Sequence, residues 1–133
     1  MKYPKVNIYV IPVRVDKEGR YSLNDLHIAA IAKGKATESQ RPCEFLKSKQ
    51  IKLFAQSLTE AKIVASVKTV KGGNNQGSWG LELIAIRYAA WLNPDFEIKV
   101  YETFRDFVMH GFDAMYRLNQ LDLTINSESK EIS

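Results

Sequence analysis

The chain has 133 residues, 45% of them hydrophobic and 26% charged, with a formal net charge of +4 at pH 7. That length suits one domain with a real core and is too short for two, and the composition is that of a soluble globular protein, arguing against disorder and against a membrane span. Cys43 is the only cysteine and His27 and His110 are the only histidines. An internal disulfide is therefore excluded, a reducing cytoplasmic compartment is expected, and no familiar zinc spacing exists, so neither metal nor cofactor is expected.

Taken in chain order, the first segment alternates apolar residues at Ile8, Val10, Val13 and Val15, with Tyr21 on the return. Asp16-Lys17-Glu18-Gly19 between them has the length and the glycine of a hairpin turn. The segment contains Pro12 and lacks a small-residue cleavage site, so it reads as strand and not as a signal peptide. Ser22, three residues before Asp25, resembles a capping arrangement, with Asp25 read as a cap. Leu23, Leu26, Ala30 and Ile31 follow at helical spacing, predicting a helix from Leu23 to Ala32 that stops before Gly34. His27 lies within that helix without a recognisable partner and reads as a structural hydrogen-bonding residue.

Residues 34–40 are polar and small and read as a loop. Arg41-Pro42 opens a second helix, with Glu44 in its first turn complementing the helix dipole. Phe45 and Leu46 would face the core, and Ile51, Phe54, Ala55 and Leu58 continue the pattern, as one helix or as a separate one after a kink near Gln50. Next come two lysine-bearing extended runs around a tip of glycines and amides, Gly72-Gly73-Asn74-Asn75-Gln76-Gly77. Helix, loop, helix and then hairpin is the order of a winged helix-turn-helix. Leu81, Ile84, Ala85, Tyr88, Trp91 and Leu92 mark one apolar stripe on the following helix, and Trp79 and Trp91 read as core anchors. Asn93-Pro94 ends that helix and caps the next.

The last helix carries two apolar stripes. One is Phe96, Val100, Phe104, Phe107, Gly111 and Ala114, and the other is Ile98, Tyr101, Val108, Phe112 and Met115. Either one face meets a second copy or another domain, or the helix lies deep between the hairpin and the other helices. The first alternative predicts a homodimer through residues 94–118. From Leu121 the polar run LTINSESKEIS reads as a tail, giving a domain over 1–118 and a tail over 119–133.

Charge is unevenly spread. Between Lys33 and Lys71 nine Lys or Arg stand against three Glu, while from Leu81 onward five basic residues face nine acidic ones. A basic middle and an acidic C-terminal third suggest one face turned toward a polyanion.

The chain resembles the KilA-N domain family of large DNA viruses, bacteriophages and prophage-bearing bacteria. The matching segments run from Asp16 to His27, from Arg41 to Leu46, over Val70–Gly73 with Gly77-Ser78-Trp79, and from Leu83 to Phe96. They occur in family order and span roughly residues 6–108. Departures are local: Gly80-Leu81-Glu82 stands where a histidine-proline or similar turn is frequent, and the loop before Arg41 is less glycine-rich. The resemblance implies an α+β fold, a winged helix-turn-helix related to the APSES domain, with an N-terminal β-hairpin, short helices, a β-hairpin wing and a C-terminal helical pair. It also implies double-stranded DNA binding by a phage or prophage regulator, and no enzymatic activity.

On that reading Arg41, Lys47, Lys49 and Lys52 grip phosphates, with Lys33 and Lys35 as further backbone contacts, while Ser48 or Gln50 touches bases. In the wing Lys68 and Lys71 neutralise phosphates and Asn74, Asn75 and Gln76 present amides to groove edges. An A-form RNA backbone would suit the same basic wing. A rival of another class is an antirepressor-like module that captures a protein and never touches DNA. A nuclease is disfavoured, because the carboxylates from Glu82 to Asp106 interleave with Arg87, Lys99 and Arg105 as an ion-paired face.

Overall fold

Buried positions in the first strands change parity. Val6 and Ile8 are buried, then Val13 and Val15, and a single strand of period two cannot bury both sets on one face. The computed structural model, which describes residues 5–111, shows how the chain resolves this. β1 (Lys5–Ile8) and β2 (Ile11–Arg14) pair antiparallel with Ile8 opposite Ile11. The reversal is made by Tyr9, at φ 61°, and Val10, which is 82% exposed.

This corrects the expected hairpin, whose turn was placed at Asp16–Gly19. That turn exists, but it hands the chain to β3 (Tyr21–Ser22), which pairs with a later strand and keeps one bridge, Val15 to Tyr21, to the first segment. The turn is built around Asp16. Its Oδ1 accepts the amides of Glu18 (2.9 Å) and Arg20 (2.8 Å), and its Oδ2 accepts Nε of buried Arg20 at 2.8 Å. Arg20 Nη1 also donates to the Ala65 carbonyl at 2.8 Å, so the buried pair is fully bonded and ties the turn to the chain ahead of the wing.

α1 (Leu23–Ala32) starts at Ser22, whose Oγ accepts the amide of Asp25 at 3.1 Å. α1 packs against β2 and against a strand and a helix from further along the chain, burying Leu23, Leu26, Ala29 and Ala30. His27 Nε2 is 2.8 Å from the Thr37 carbonyl, the structural role expected of it, and this fixes the loop behind the helix.

Two helices follow. α2 (Pro42–Leu46) has proline in its first turn, and α3 (Lys49–Lys62) starts at Ser48, whose Oγ accepts the Ile51 amide at 3.1 Å. Of the two sequence alternatives, the separate third helix is the one present. α3 ends at Ile63 in the left-handed region, φ 55°. Ser66 then ties α3 to the base of the wing. Fully buried, it donates from Oγ to the Ala55 carbonyl (2.6 Å), accepts from Thr59 Oγ1 (2.9 Å), and offers its carbonyl to the Leu81 amide (2.9 Å).

β4 (Val67–Val70) and β5 (Gly77–Gly80) form the hairpin, and β3 joins it to give a three-stranded antiparallel sheet ordered β3-β5-β4. Trp79 on β5 is 1% exposed, the core anchor expected. Two glycines of β5 are required by close approach: a Cβ on Gly77, at φ 123°, would stand 2.6 Å from Asn24 Oδ1, and one on Gly80 would stand 2.6 Å from Ile84 Cγ2.

α4 (Glu82–Leu92) buries Ile84, Ala85, Tyr88, Ala89 and Leu92, while Trp91 of the expected stripe is 44% exposed. Asn93 Oδ1 accepts the amides of Asp95 (2.9 Å) and Phe96 (3.2 Å), capping α5 (residues 94–111) as its sequence implies. The chain divides into two units at 103/104, inside this helix. Within the first unit, Phe96 and Val100 of one stripe are buried and Ile98 and Tyr101 of the other are 57% and 51% exposed. Phe112, Ala114, Met115 and the tail from 119 lie outside the described residues.

Burial, helped by the charge of Glu82, pushes the Tyr21 phenol up to about 12. Burial raises Tyr88 as well, with Cys43 adding, and the Tyr88 hydroxyl donates to the Gln40 carbonyl at 2.6 Å. An unfolded phenol releases its proton near pH 10, so the stability contributed by these protonated phenols is intact below that pH and is lost as pH rises from about 10 toward 12. Melting temperature measured from pH 8 to 11.5 should therefore fall beyond pH 10, and Tyr21→Phe should make the fall shallower; an unchanged profile would refute the assignment.

Candidate nucleic-acid interface

The α2–α3 turn carries the densest set of basic side chains. Glu44 sits among them, accepting Lys47 Nζ at 3.0 Å with Arg41 Nη2 at 3.8 Å. The bond to Lys47, its charge and that of Arg41 hold the Glu44 carboxyl below the usual carboxylate range. Lys35 Nζ is likewise 3.3 Å from Asp95 Oδ2. These exposed pairs are weak in water and exchange readily for another anion. Lys33 Nζ lies 5.2 Å from the centre of the Tyr9 ring, which Lys99 Nζ also approaches at 5.7 Å.

Lys49, Gln50 and Lys52 are exposed on α3, and their side chains have no ion-pair or hydrogen-bond partner among the described residues. Ser48 is occupied as the α3 cap through its acceptor lone pair and retains a hydroxyl proton to donate. Ser48 and Gln50 line a cleft of about 530 Å³ with Phe45, Arg87 and Trp91. Arg87, which sequence reasoning had placed in an ion-paired face, instead lies with its guanidinium 3.9 Å from the Phe54 ring centre. Trp91 stacks on Tyr88 with centroids 6.1 Å apart.

The wing tip is tethered by its main chain. Arg14 Nη1 donates to the Asn74 carbonyl at 2.9 Å and Trp79 Nε1 donates to the Asn75 carbonyl at 3.0 Å. Asn24 Oδ1 accepts the Ser78 amide at 2.8 Å. Arg14 is held in turn by Asp25, to which it donates from Nε (2.9 Å), Nη2 (3.1 Å) and its own amide (2.9 Å), while its guanidinium stands 5.2 Å from the centre of the Trp79 ring. Asp25 is thus the partner of Arg14, not a cap, which corrects the sequence reading. Its first-turn place on α1 suits a carboxylate.

With their carbonyls engaged, the side-chain amides of Asn74 and Asn75 and that of Gln76 make no hydrogen bond among the described residues. Lys68 stands on β4 in register with Trp79, and Lys71 directly follows the strand; both are exposed. Asn74 and Gln76 line a second cleft, about 470 Å³, with Arg14, Asn24, Asp25 and Ile28.

Most of the candidates therefore lie in two stretches, one over the α2–α3 turn and the start of α3 and one at the wing, while Lys33 and Lys35 stand apart beside Tyr9 and Asp95. Sequence reasoning missed Arg14 and Asn24, both of which position the wing. Asn24 lies in the Asn-Asp-Leu-His segment, but only the fold brings it to β5. Among the described residues no group of three or more His, Cys, Asp or Glu is placed to hold a metal ion, and no helix is long and apolar enough to cross a membrane.

The family model of the KilA-N domain matches residues 4–109. With that extent and with the α+β architecture just described, the chain belongs to the KilA-N domain family, a family of DNA-binding domains. Among individual proteins it is similar to Protein kilA of Escherichia phage P1, at 31% identity over 98 residues, covering 73% of this chain and 35% of that protein. The chain thus spans about a third of the length of that relative. No solved structure matches it significantly.

Replacing Arg14 with alanine should unpair Asp25 and free the Asn74 carbonyl, lowering unfolding free energy by about 2 kcal/mol. Amide exchange at residues 74–78 should accelerate more than elsewhere. Lysine at position 14 should restore little, since it lacks the planar fork; equal exchange in the wild type and Arg14→Ala would contradict the tether.

Proposed function

We propose that this domain binds double-stranded DNA as part of a phage-type regulatory protein working in the bacterial cytoplasm. The observation that carries the reading is the N-terminal half of α3, where Lys49 and Lys52 stand exposed with no acidic partner among the described residues. A helix precedes it and an anchored glycine- and amide-rich hairpin follows. α3 enters the major groove, Lys49, Lys52, Lys68 and Lys71 displace counterions from phosphates, and the wing follows the neighbouring groove. Arg41, Lys47 and Lys35 reach phosphate by trading away Glu44 and Asp95, with Lys33 beside them. Gln50, Ser48 and the amides of Asn74, Asn75 and Gln76 supply hydrogen bonds to base edges or backbone.

Exposed Ile98 and Tyr101, on the face of α5 opposite buried Phe96 and Val100, support a homodimer through that helix. Sedimentation at high concentration should show a two-fold mass; a monomer would end this part of the reading.

Fluorescence anisotropy with mixed-sequence duplex DNA should give an affinity that falls steeply with salt. Lys49→Ala and Lys52→Ala should each make the log–log salt slope shallower by about 0.9, the value of one phosphate contact. A matched RNA duplex alongside tests selectivity for DNA. Failure to bind either duplex at low salt would put the antirepressor-like reading in its place.

A further inference from the structure

An amphipathic surface helix ordinarily opposes its apolar stripe with charge. α3 buries Ile51 and Leu58, and at about 100° per residue the side facing away from them includes Leu53, 56% exposed and the only large hydrophobic residue of α3 that is exposed. Its neighbours on that outward side are Lys49, Gln50, Gln56 and Ser57, all exposed. A protein-docking face would surround Leu53 with further apolar side chains, and this one surrounds it with a cation, amides and a hydroxyl.

That mixture matches the floor of a DNA major groove. Amides and hydroxyls meet donors and acceptors on base edges, lysines meet phosphates at the groove walls, and the one apolar group a base pair presents there is the C5 methyl of thymine. The first carboxylate on the outward side is Glu60, two turns beyond Leu53, so α3 is free of acidic residues from Lys49 to Thr59, its whole N-terminal half included. That is the end which contacts bases when a recognition helix enters the groove.

We infer that Leu53 packs against a thymine 5-methyl group, so that α3 selects a site containing an A·T pair at that position. The inference rests on the DNA-binding reading above and adds the chemistry of the base that is read.

The test uses duplexes enriched from a randomised pool by binding to the domain, then remade with uracil in place of each thymine in turn, which removes only the methyl group. Wild-type protein should lose about three- to five-fold in affinity at one position, the value of one buried methyl-sized group. Leu53→Ala should bind the thymine and uracil duplexes equally, with the wild-type salt slope and melting temperature. Equal wild-type affinity for both bases at every position, an enriched site without thymine, or the same loss retained by Leu53→Ala would each overturn the inference while leaving DNA binding standing. Failure of the wild type to enrich any duplex would overturn both.

Discussion

The bond between Arg14 and Asp25 holds together parts of the fold that are far apart in sequence. One guanidinium takes both oxygens of one carboxylate, reaches the wing tip at Asn74 and lies near the face of Trp79. It thereby joins the first hairpin, the start of α1, the β4–β5 hairpin and the core. The pair is only partly exposed, at 27% and 12% for the two side chains, and its fork geometry gives it more strength and direction than a surface ion pair has. Hydrogen bonding to Asp25 also lifts the Arg14 pKa further above its ordinary value. A glycine-rich loop outside such a frame would sample many conformations, and here its main chain is held at three points.

The helical half of this architecture was legible because its signals are local. Ser22 and Asn93 cap where their positions imply, proline opens α2, and the apolar spacing of α1 and α4 follows their buried faces, Trp91 apart. The first hairpin was misplaced because Asp16–Gly19 carries every mark of a tight turn, while the true β1–β2 reversal uses Tyr9 and Val10, residues with no turn preference. The readable sign was the parity change from Ile8 to Val13. Asp25 was misread for the opposite reason: its local setting is that of a cap, and its partner comes from eleven residues upstream. Trp91 shows the same limit, since a stripe at helical spacing does not say which of its members reaches the rim, and so does Arg87, which lies over the Phe54 ring where spacing implied a carboxylate partner.

For the interface, the residue types and the segments were visible, and the pairing state of the charges was not. Nothing in sequence spacing tells that Lys35 lies against Asp95, sixty residues away, while Lys49 and Lys52 remain unpaired among the described residues. That distinction sorts the basic residues into a group available at once and a group that must first give up a carboxylate. It is a property of the tertiary fold alone.

The tether of the wing has one consequence for how such a domain changes over time. The tip is fixed through the carbonyls of Asn74 and Asn75, groups that every amino acid possesses. Side chains at these two positions are therefore decoupled from the loop's shape: they can be exchanged for others without redesigning the support beneath them. Arg14, Asp25, Asn24 and Trp79 form a fixed socket, and the residues it displays are interchangeable inserts. A lineage carrying this arrangement can drift to a new partner surface by altering the inserts while the socket stays under constraint.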